Sequence, residues 1–330
     1  MRIIAGDIGG TKTLLQVVEV RDRDRIVVAE KRYESEKWKT FDELVSDFLS
    51  EAAAGPIECA CFAVAGPVLH NRAELTNLRW VMVHSELERG FGLRHVSLVN
   101  DFYAVAVGIP YLADDDVVSI NAGQRDRSSP IAILGAGTGL GEAFLVPDEI
   151  GWRVIASEGG HADFAPVTED HIDLLRHLQK RFGRVSYERV LSGRGLANVF
   201  EFLRERAGLQ PLEVSEDELP PLIASMARSG DAIARRTMEI FAEVYGAEAG
   251  NLALKVLARG GVYLAGGIVA KNAEHFTDGR FRELFITKGR FSSLVAECPV
   301  DLITNAAVGL LGATIIAMRD CGGIPLHRNR

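Results

Sequence analysis

Asn100-Asp101 follows an apolar run, Val96 to Val99, and sets an amide beside a carboxylate. Such a pair suits recognition of vicinal hydroxyls, and the aspartate can take the proton of an attacking alcohol. An aspartate at that point can also simply cap a helix beginning at Phe102. Two glycine-rich stretches offer a second kind of chemistry. Gly6-Asp7-Ile8-Gly9-Gly10-Thr11-Lys12-Thr13 and Gly135-Ala136-Gly137-Thr138-Gly139-Leu140-Gly141 each join two apolar segments. Without a Cβ, glycines let backbone N–H groups approach phosphate oxygens. The first is not a Walker A loop, because Thr11 stands where the second glycine belongs and a strand follows instead of a helix. Alone it reads equally well as an ordinary hairpin turn. Two such loops, gripping the β- and γ-phosphates of one nucleotide, make a more specific combination. Asp7, at a strand end, is placed to hold Mg²⁺ through water, since that ion dehydrates reluctantly.

Three further groups join these. Glu158-Gly159-Gly160-His161 flanks a permissive turn with a carboxylate and an imidazole, although a lone histidine is more often structural. Glu188, in Tyr187-Glu188-Arg189-Val190-Leu191-Ser192-Gly193, reads first as a solvated residue or a partner of Arg189. Gly266-Gly267 closes the buried run Leu264-Ala265, where a flat adenine or ribose can come close; a plain strand-to-loop turn explains it as well.

The elements that must carry these residues alternate between strand and helix patterns, which predicts an α/β layer fold. Ile3–Asp7, Leu14–Val20 and Arg25–Tyr33 read as strands. Thr40 to Ala54 reads as a helix, opened by Thr40 with Glu43 three residues on. Cys59–Ala65 and Val96–Val99 return to strand, and a helix starts at Phe102. A second phase begins near Tyr111. Ile131–Leu134 and Ala143–Val146 read as strands around the second glycine loop, so the first hairpin has an internal echo. Glu169 to Leu257 is mainly helical, with breaks expected at Gly183, Gly193, Gly208 to Pro211 and Pro220-Pro221. Gly261–Ala265 is a buried strand, Asn305 to Met318 a buried helix, and the tail after Cys321 polar and loose.

A length of 330 residues favours two domains, and 47% hydrophobic with 25% charged residues is ordinary for a globular chain. A formal net charge of −8 argues against nucleic-acid binding through a broad basic surface. The apolar runs are too short or too interrupted by glycine to span a bilayer, and no targeting segment is visible, so no membrane partner is expected. Cys59, Cys61, Cys298 and Cys321 complete no zinc set and read as reduced thiols of a cytoplasmic protein.

Taken in order, Asp7-Ile8-Gly9-Gly10-Thr11, Asn100-Asp101, Gly135 to Gly141, Glu158 to His161, Glu188 with Leu191-Ser192-Gly193, and Gly266-Gly267 resemble the bacterial glucokinases of the sugar kinase–actin–Hsp70 superfamily. The resemblance runs from about residue 3 to about residue 318. It implies a two-domain actin-like ATPase (ribonuclease H-like) fold with mixed sheets. Residues 1–110 would form a small α/β domain, completed by a C-terminal helix over 301–320, and residues 111–300 a large one. ATP would sit in the cleft between domains that close around the sugar. The implied reaction is ATP-dependent phosphorylation of D-glucose to glucose 6-phosphate, the first step of glycolysis. Asp101 would be the base; Asn100, Asp101, Glu158, His161 and Glu188 would contact glucose, which lifts Glu188 above its bare reading. Gly9, Gly10, Thr11 and Lys12, with Gly137, Thr138 and Gly139, would hold phosphates, and Gly266 and Gly267 would lie by the adenosine. A homodimer is implied too.

Lys12 stands where many glucokinases of this branch have Asn, whereas Lys is usual in the related ROK sugar kinases. The ROK zinc signature is absent: Ala162-Asp163-Phe164-Ala165-Pro166 follows His161 with no cysteine, which places the chain with the zinc-free glucokinases. Two other readings stand beside this one. One is a kinase of mannose, fructose or an N-acetylhexosamine. The other is a non-catalytic sugar-sensing regulator, which the start of the first strand by Ile3 disfavours, as it leaves no room for a helix-turn-helix.

Overall fold

The hairpin expected around Gly9 and Gly10 is present: β1 (Arg2–Ile8) runs antiparallel to β2 (Lys12–Arg21), with Ile8 opposite Thr13. A computed structural model describes residues 1–21, 24–52, 55–75, 77–149 and 151–322. The chain forms two units, Met1–Asp114 with Ala307–Arg330, and Asp115–Ala306.

In the first unit β3 (Asp24–Glu34) extends the hairpin on one side, and β4 (Cys59–Val64) lies parallel to β1 on the other. β4 is buried along its whole length, as a central parallel strand must be, and its sequence Cys-Ala-Cys-Phe-Ala-Val shows no polar alternation. A small antiparallel sheet of β5 (Val68–Leu69), β6 (Arg72–Leu75) and β7 (Trp80–Val83) follows. β8 (His95–Asn100) then joins β4 in parallel, giving the order β3-β2-β1-β4-β8. α1 (Phe41–Ala52) begins as expected, with the Thr40 hydroxyl accepting the Glu43 N–H at 3.2 Å; its proposed extension over 53–54 lies outside the described residues, as does the tail over 323–330. Phe41, Leu44, Val45 and Phe48 of α1 face the core formed with Ile4, Phe62 and Trp80. α2 (His84–Phe91) and α3 (Asp101–Gly108) flank β8 in sequence.

The C-terminal helix starts at Val308 and not at Asn305, and runs to Asp320. It packs on α3 at glycine contacts: a Cβ on Gly312 would stand 1.8 Å from the Ala104 carbonyl oxygen, and one on Gly108 would stand 2.6 Å from that of Val308. Gln16 Nε2 donates to the buried Thr314 hydroxyl at 2.7 Å, tying the same helix to β2.

Past its last turn Cys321 is joined to Cys59 in a disulfide, which corrects the expectation of four reduced thiols; Cys61 and Cys298 are free and buried. The pairing was invisible in sequence because its members lie 262 residues apart. Cross-linking so long a loop restricts the unfolded chain, at about 2–4 kcal/mol for a typical bridge. Dithiothreitol is therefore expected to lower the melting temperature of the wild type and to leave a Cys59→Ser variant unaffected. Equal melting of the wild type with and without reductant would contradict the staple.

The second unit repeats the plan. β9 (Val117–Asn121) precedes β10 (Ile131–Ala136), β11 (Leu140–Asp148) and β12 (Gly151–Ser157), which form an antiparallel meander. Four helices follow: α4 (Glu169–Phe182), α5 (Gly193–Arg206), α6 (Leu219–Arg228) and the largely buried α7 (Ala232–Val256). Pro220-Pro221 opens α6 and does not break a helix, since proline lacks only an N–H that the first turn leaves unpaired anyway. β13 (Gly261–Ala265) lies parallel to β10; the short helices α8 (Gly267–Lys271), α9 (Glu274–Thr277), α10 (Arg280–Ile286) and α11 (Ser292–Ala296) lead to β14 (Val300–Ile303). The sheet order is β12-β11-β10-β13-β14-β9. In both units a three-stranded meander is followed by two parallel strands, so the glycine-hairpin echo is a repeat of whole sheets. This duplicated mixed sheet is the actin-like ATPase fold. Among the described residues no helix is long and apolar enough to cross a membrane.

Candidate active site

In the first unit the strand β8 delivers Asn100 and Asp101 at its carboxyl end, where α/β sheets present functional groups. The capping role falls to Asn100 and not to Asp101. Asn100 Oδ1 accepts the N–H groups of Phe102 at 2.9 Å and Tyr103 at 3.2 Å, and its Nδ2 donates to the Gly66 carbonyl at 3.1 Å. Asp101 is the first residue of α3, half-buried, and one of its oxygens accepts the Phe102 N–H at 2.8 Å.

Asp7 sits one residue before the end of β1, also half-buried. Burial, and then repulsion from the Asp101 carboxylate, push Asp7 up to about 6. Burial raises Asp101 as well, and hydrogen bonds to its charged form hold it back. Two desolvated, mutually repelling carboxylates form an oxygen donor set that a divalent cation such as Mg²⁺ fits. The C-terminal helix leaves room there: a Cβ on Gly309 would stand 3.5 Å from Asp7 Oδ2.

The adjoining turn is closed by the Gly9 N–H, which donates to the Lys12 carbonyl at 2.9 Å. Thr11 and Lys12 are exposed, and a Cβ on Gly10 would meet no described atom within 4 Å. Ser35 braces this turn: its hydroxyl donates to the Gly9 carbonyl at 2.8 Å and its N–H to that of Thr11 at 3.0 Å. Sequence reasoning passed over Ser35, which no local pattern distinguishes from other serines at strand ends.

In the second unit Gly135 and Gly141 are paired across the β10–β11 ladder, so the glycine loop narrows to Gly137-Thr138-Gly139. Gly137 donates to the Gly139 carbonyl at 2.9 Å and accepts from the Gly193 N–H at 2.9 Å, which fixes the loop against the start of α5. Ser192 caps that helix, accepting the Gly195 N–H at 2.9 Å, and donates to the Glu188 carbonyl at 2.8 Å. Glu188 is half-buried and, among the described residues, makes no ion pair with Arg189. Its Oε2 accepts the Leu140 N–H at 3.1 Å and leaves no space for a Cβ on Gly139, which would stand 2.5 Å away; the Arg189 guanidinium lies 4.2 Å over the Phe182 ring.

Glu158 precedes a 3₁₀ turn, Gly159–His161, and both Glu158 and His161 are exposed. The turn lies beside the one that bears Glu188, because the Tyr187 N–H donates to the Ala162 carbonyl at 3.0 Å. Gly266 follows β13 at φ +95°, and a Cβ there would stand 2.2 Å from the Ala136 carbonyl oxygen, so two constraints require glycine. Gly267 follows as the first residue of α8.

Asp7, Gly9, Gly10, Thr11, Lys12, Asn100 and Asp101 thus belong to the first unit. Gly137, Thr138, Gly139, Glu158, His161, Glu188, Gly266 and Gly267 belong to the second.

A family model described as Glucokinase matches residues 4–320. A glucokinase of Nostoc punctiforme is 40% identical, covering 96% of this chain and 99% of its own length. One of a Synechocystis species is 41% identical, over 97% and 99%. The solved glucokinase of an Antarctic psychrotroph superposes with a TM-score of 0.87 at 32% identity, covering 96% of this chain and 99% of that one. With its sheets duplicated, its paired carboxylates in place and its relatives matched end to end, this chain belongs to the glucokinase family.

Proposed function

We propose that this chain transfers the γ-phosphoryl group of ATP to the 6-hydroxyl of D-glucose, releasing ADP and glucose 6-phosphate. The observation that carries the reading is Asp101: a half-buried carboxylate at a strand end, raised by burial, with one oxygen anchored to the Phe102 N–H. Anchoring fixes its direction, and partial desolvation makes it a stronger base than a solvated aspartate. It accepts the 6-hydroxyl proton as that oxygen attacks phosphorus, and the γ-phosphoryl–ADP bond breaks in line.

Asn100 holds the start of α3 and so the position of Asp101, and its remaining amide hydrogen is offered to the sugar. Glu158, His161 and Glu188 bind the other hydroxyls. Backbone N–H groups of Gly10–Lys12 and of Thr138 and Gly139 bind phosphate oxygens, while Gly9 and Gly137 close their turns; the open face at Gly267 leaves space for the adenosine, and Gly266 seats the strand end against Ala136. Asp7 would hold Mg²⁺, by way of water, and the ion would supply charge neutralisation on the phosphates.

Steady-state rates with ATP and Mg²⁺ across glucose, mannose, fructose and N-acetylglucosamine test the substrate. Glucose is expected to give the highest kcat/KM by at least about tenfold, since a site that hydrogen-bonds a hydroxyl penalises a sugar that misplaces it. A higher value for another hexose would overturn the choice of sugar.

A further inference from the structure

The second unit carries an acidic residue that the reaction above does not use. The residues assigned to the sugar in this unit all lie against the first three residues of β11, Leu140 to Glu142. Glu188 accepts the Leu140 N–H at 3.1 Å. A Cβ on Gly160 would stand 2.2 Å from the Leu140 carbonyl oxygen. One on Gly159 would stand 1.8 Å from Oε2 of Glu142. Glu142 is therefore packed directly under the Gly159–His161 turn, and a side chain at 159 would have to push its carboxyl aside. Across the ladder its partner is Ser157, whose hydroxyl accepts the Gly159 N–H at 3.0 Å.

The carboxyl is 2% exposed, and its Oε1 is buried without a hydrogen-bond partner among the described residues. An unpartnered buried oxygen is costly when neutral and far costlier when charged. The groups that face it come mainly from α7. Glu248 is fully buried and repels it, Lys255 pairs with Glu248 at 3.3 Å and attracts it, and Tyr245 lies near on the same helix. Lys288 stands behind them, with its ammonium on the Ala247 carbonyl at 2.7 Å and on Asn251 at 2.9 Å. Burial first, and then Glu248, push Glu142 up to about 7. The proton therefore leaves near neutrality, and the pocket accommodates the neutral form.

We propose that Glu142 is a positioning residue for the sugar: its neutral carboxyl seats the turn that bears Glu158 and His161, and its ionisation unseats that turn and weakens sugar binding. The proposal rests on the assignment of Glu158 and His161 to the sugar made above. No proton is transferred to substrate; one exchanges with solvent as the turn shifts.

The test is the pH dependence of glucose KM and kcat in the wild type, Glu142→Gln, Glu142→Ala and Glu158→Gln. In the wild type KM is expected to rise by up to about tenfold per pH unit above about pH 7, while kcat changes by less than about twofold. Glu142→Gln keeps the shape without the titration, so its KM stays low and flat. Glu142→Ala leaves a gap under Gly159 and raises KM at every pH. If Glu142→Ala does not fold, Glu142→Gln decides alone.

A Glu142→Gln variant that keeps the wild-type rise in KM would overturn the proposal. Glu158→Gln separates the two layers. If it raises KM while the Glu142 variants behave as wild type, only the positioning role fails. If it leaves KM unchanged, the sugar assignment itself fails and the proposal falls with it.

Discussion

Asp101→Asn is expected to bind glucose with nearly wild-type affinity and to lose about 10²–10⁴-fold in kcat, the usual contribution of a positioned base. The substitution is conservative in structure. An amide oxygen can still accept the Phe102 N–H that Asp101 accepts at 2.8 Å, and the cap of α3 belongs to Asn100, so the helix start survives. What is lost is the capacity to take a proton. The same change removes a negative charge beside Asp7, whose elevation is due in part to Asp101. Calorimetric glucose binding together with single-turnover rates would separate binding from chemistry. A variant that keeps more than about a tenth of wild-type kcat would contradict the base role.

The second large effect is structural and reaches the same residue. On the C-terminal helix, Gly312→Ala would set a methyl 1.8 Å from the Ala104 carbonyl oxygen, which is backbone and cannot rotate aside. The helix must move off α3, and overpacking of this kind costs roughly 1–3 kcal/mol or more. Because Asp101 is the first residue of α3, the displacement carries into the base, so kcat is expected to fall along with the melting temperature. Gly309→Ala on the same helix is the contrast: its nearest neighbour would be Asp7 Oδ2 at 3.5 Å, an ordinary contact, and thermal stability should hold. Equal melting temperatures for the two variants would show that the α3 contact is not as tight as the structure has it.

The sequence showed most plainly those features that rest on local chemistry. Glycine clustered between apolar flanks marks both hairpins, and the Thr40 cap announces α1. The end of β8 was visible too. Which of Asn100 and Asp101 would cap the helix was not, since both types can do so and the choice depends on the backbone angles there.

Residues defined by partners far along the chain stayed hidden. Glu188 is held by an N–H 48 residues earlier, so its own surroundings suggest only a solvated side chain. Glu142 merges into a glycine-rich strand and takes its meaning from Gly159 and from Glu248 on α7. Cys59 and Cys321 meet only because the C-terminal helix returns to the first unit. β12 and β14 were passed over, the first because it carries no strict alternation and the second because four residues make too short a pattern.

The most direct test of the account is to incubate wild type and Asp101→Asn side by side with ATP, Mg²⁺ and glucose, and to quantify ADP and glucose 6-phosphate together. Equal amounts of both products are expected from the wild type and almost none of either from the variant. ADP without glucose 6-phosphate from the wild type, or matching product from the variant, would contradict it.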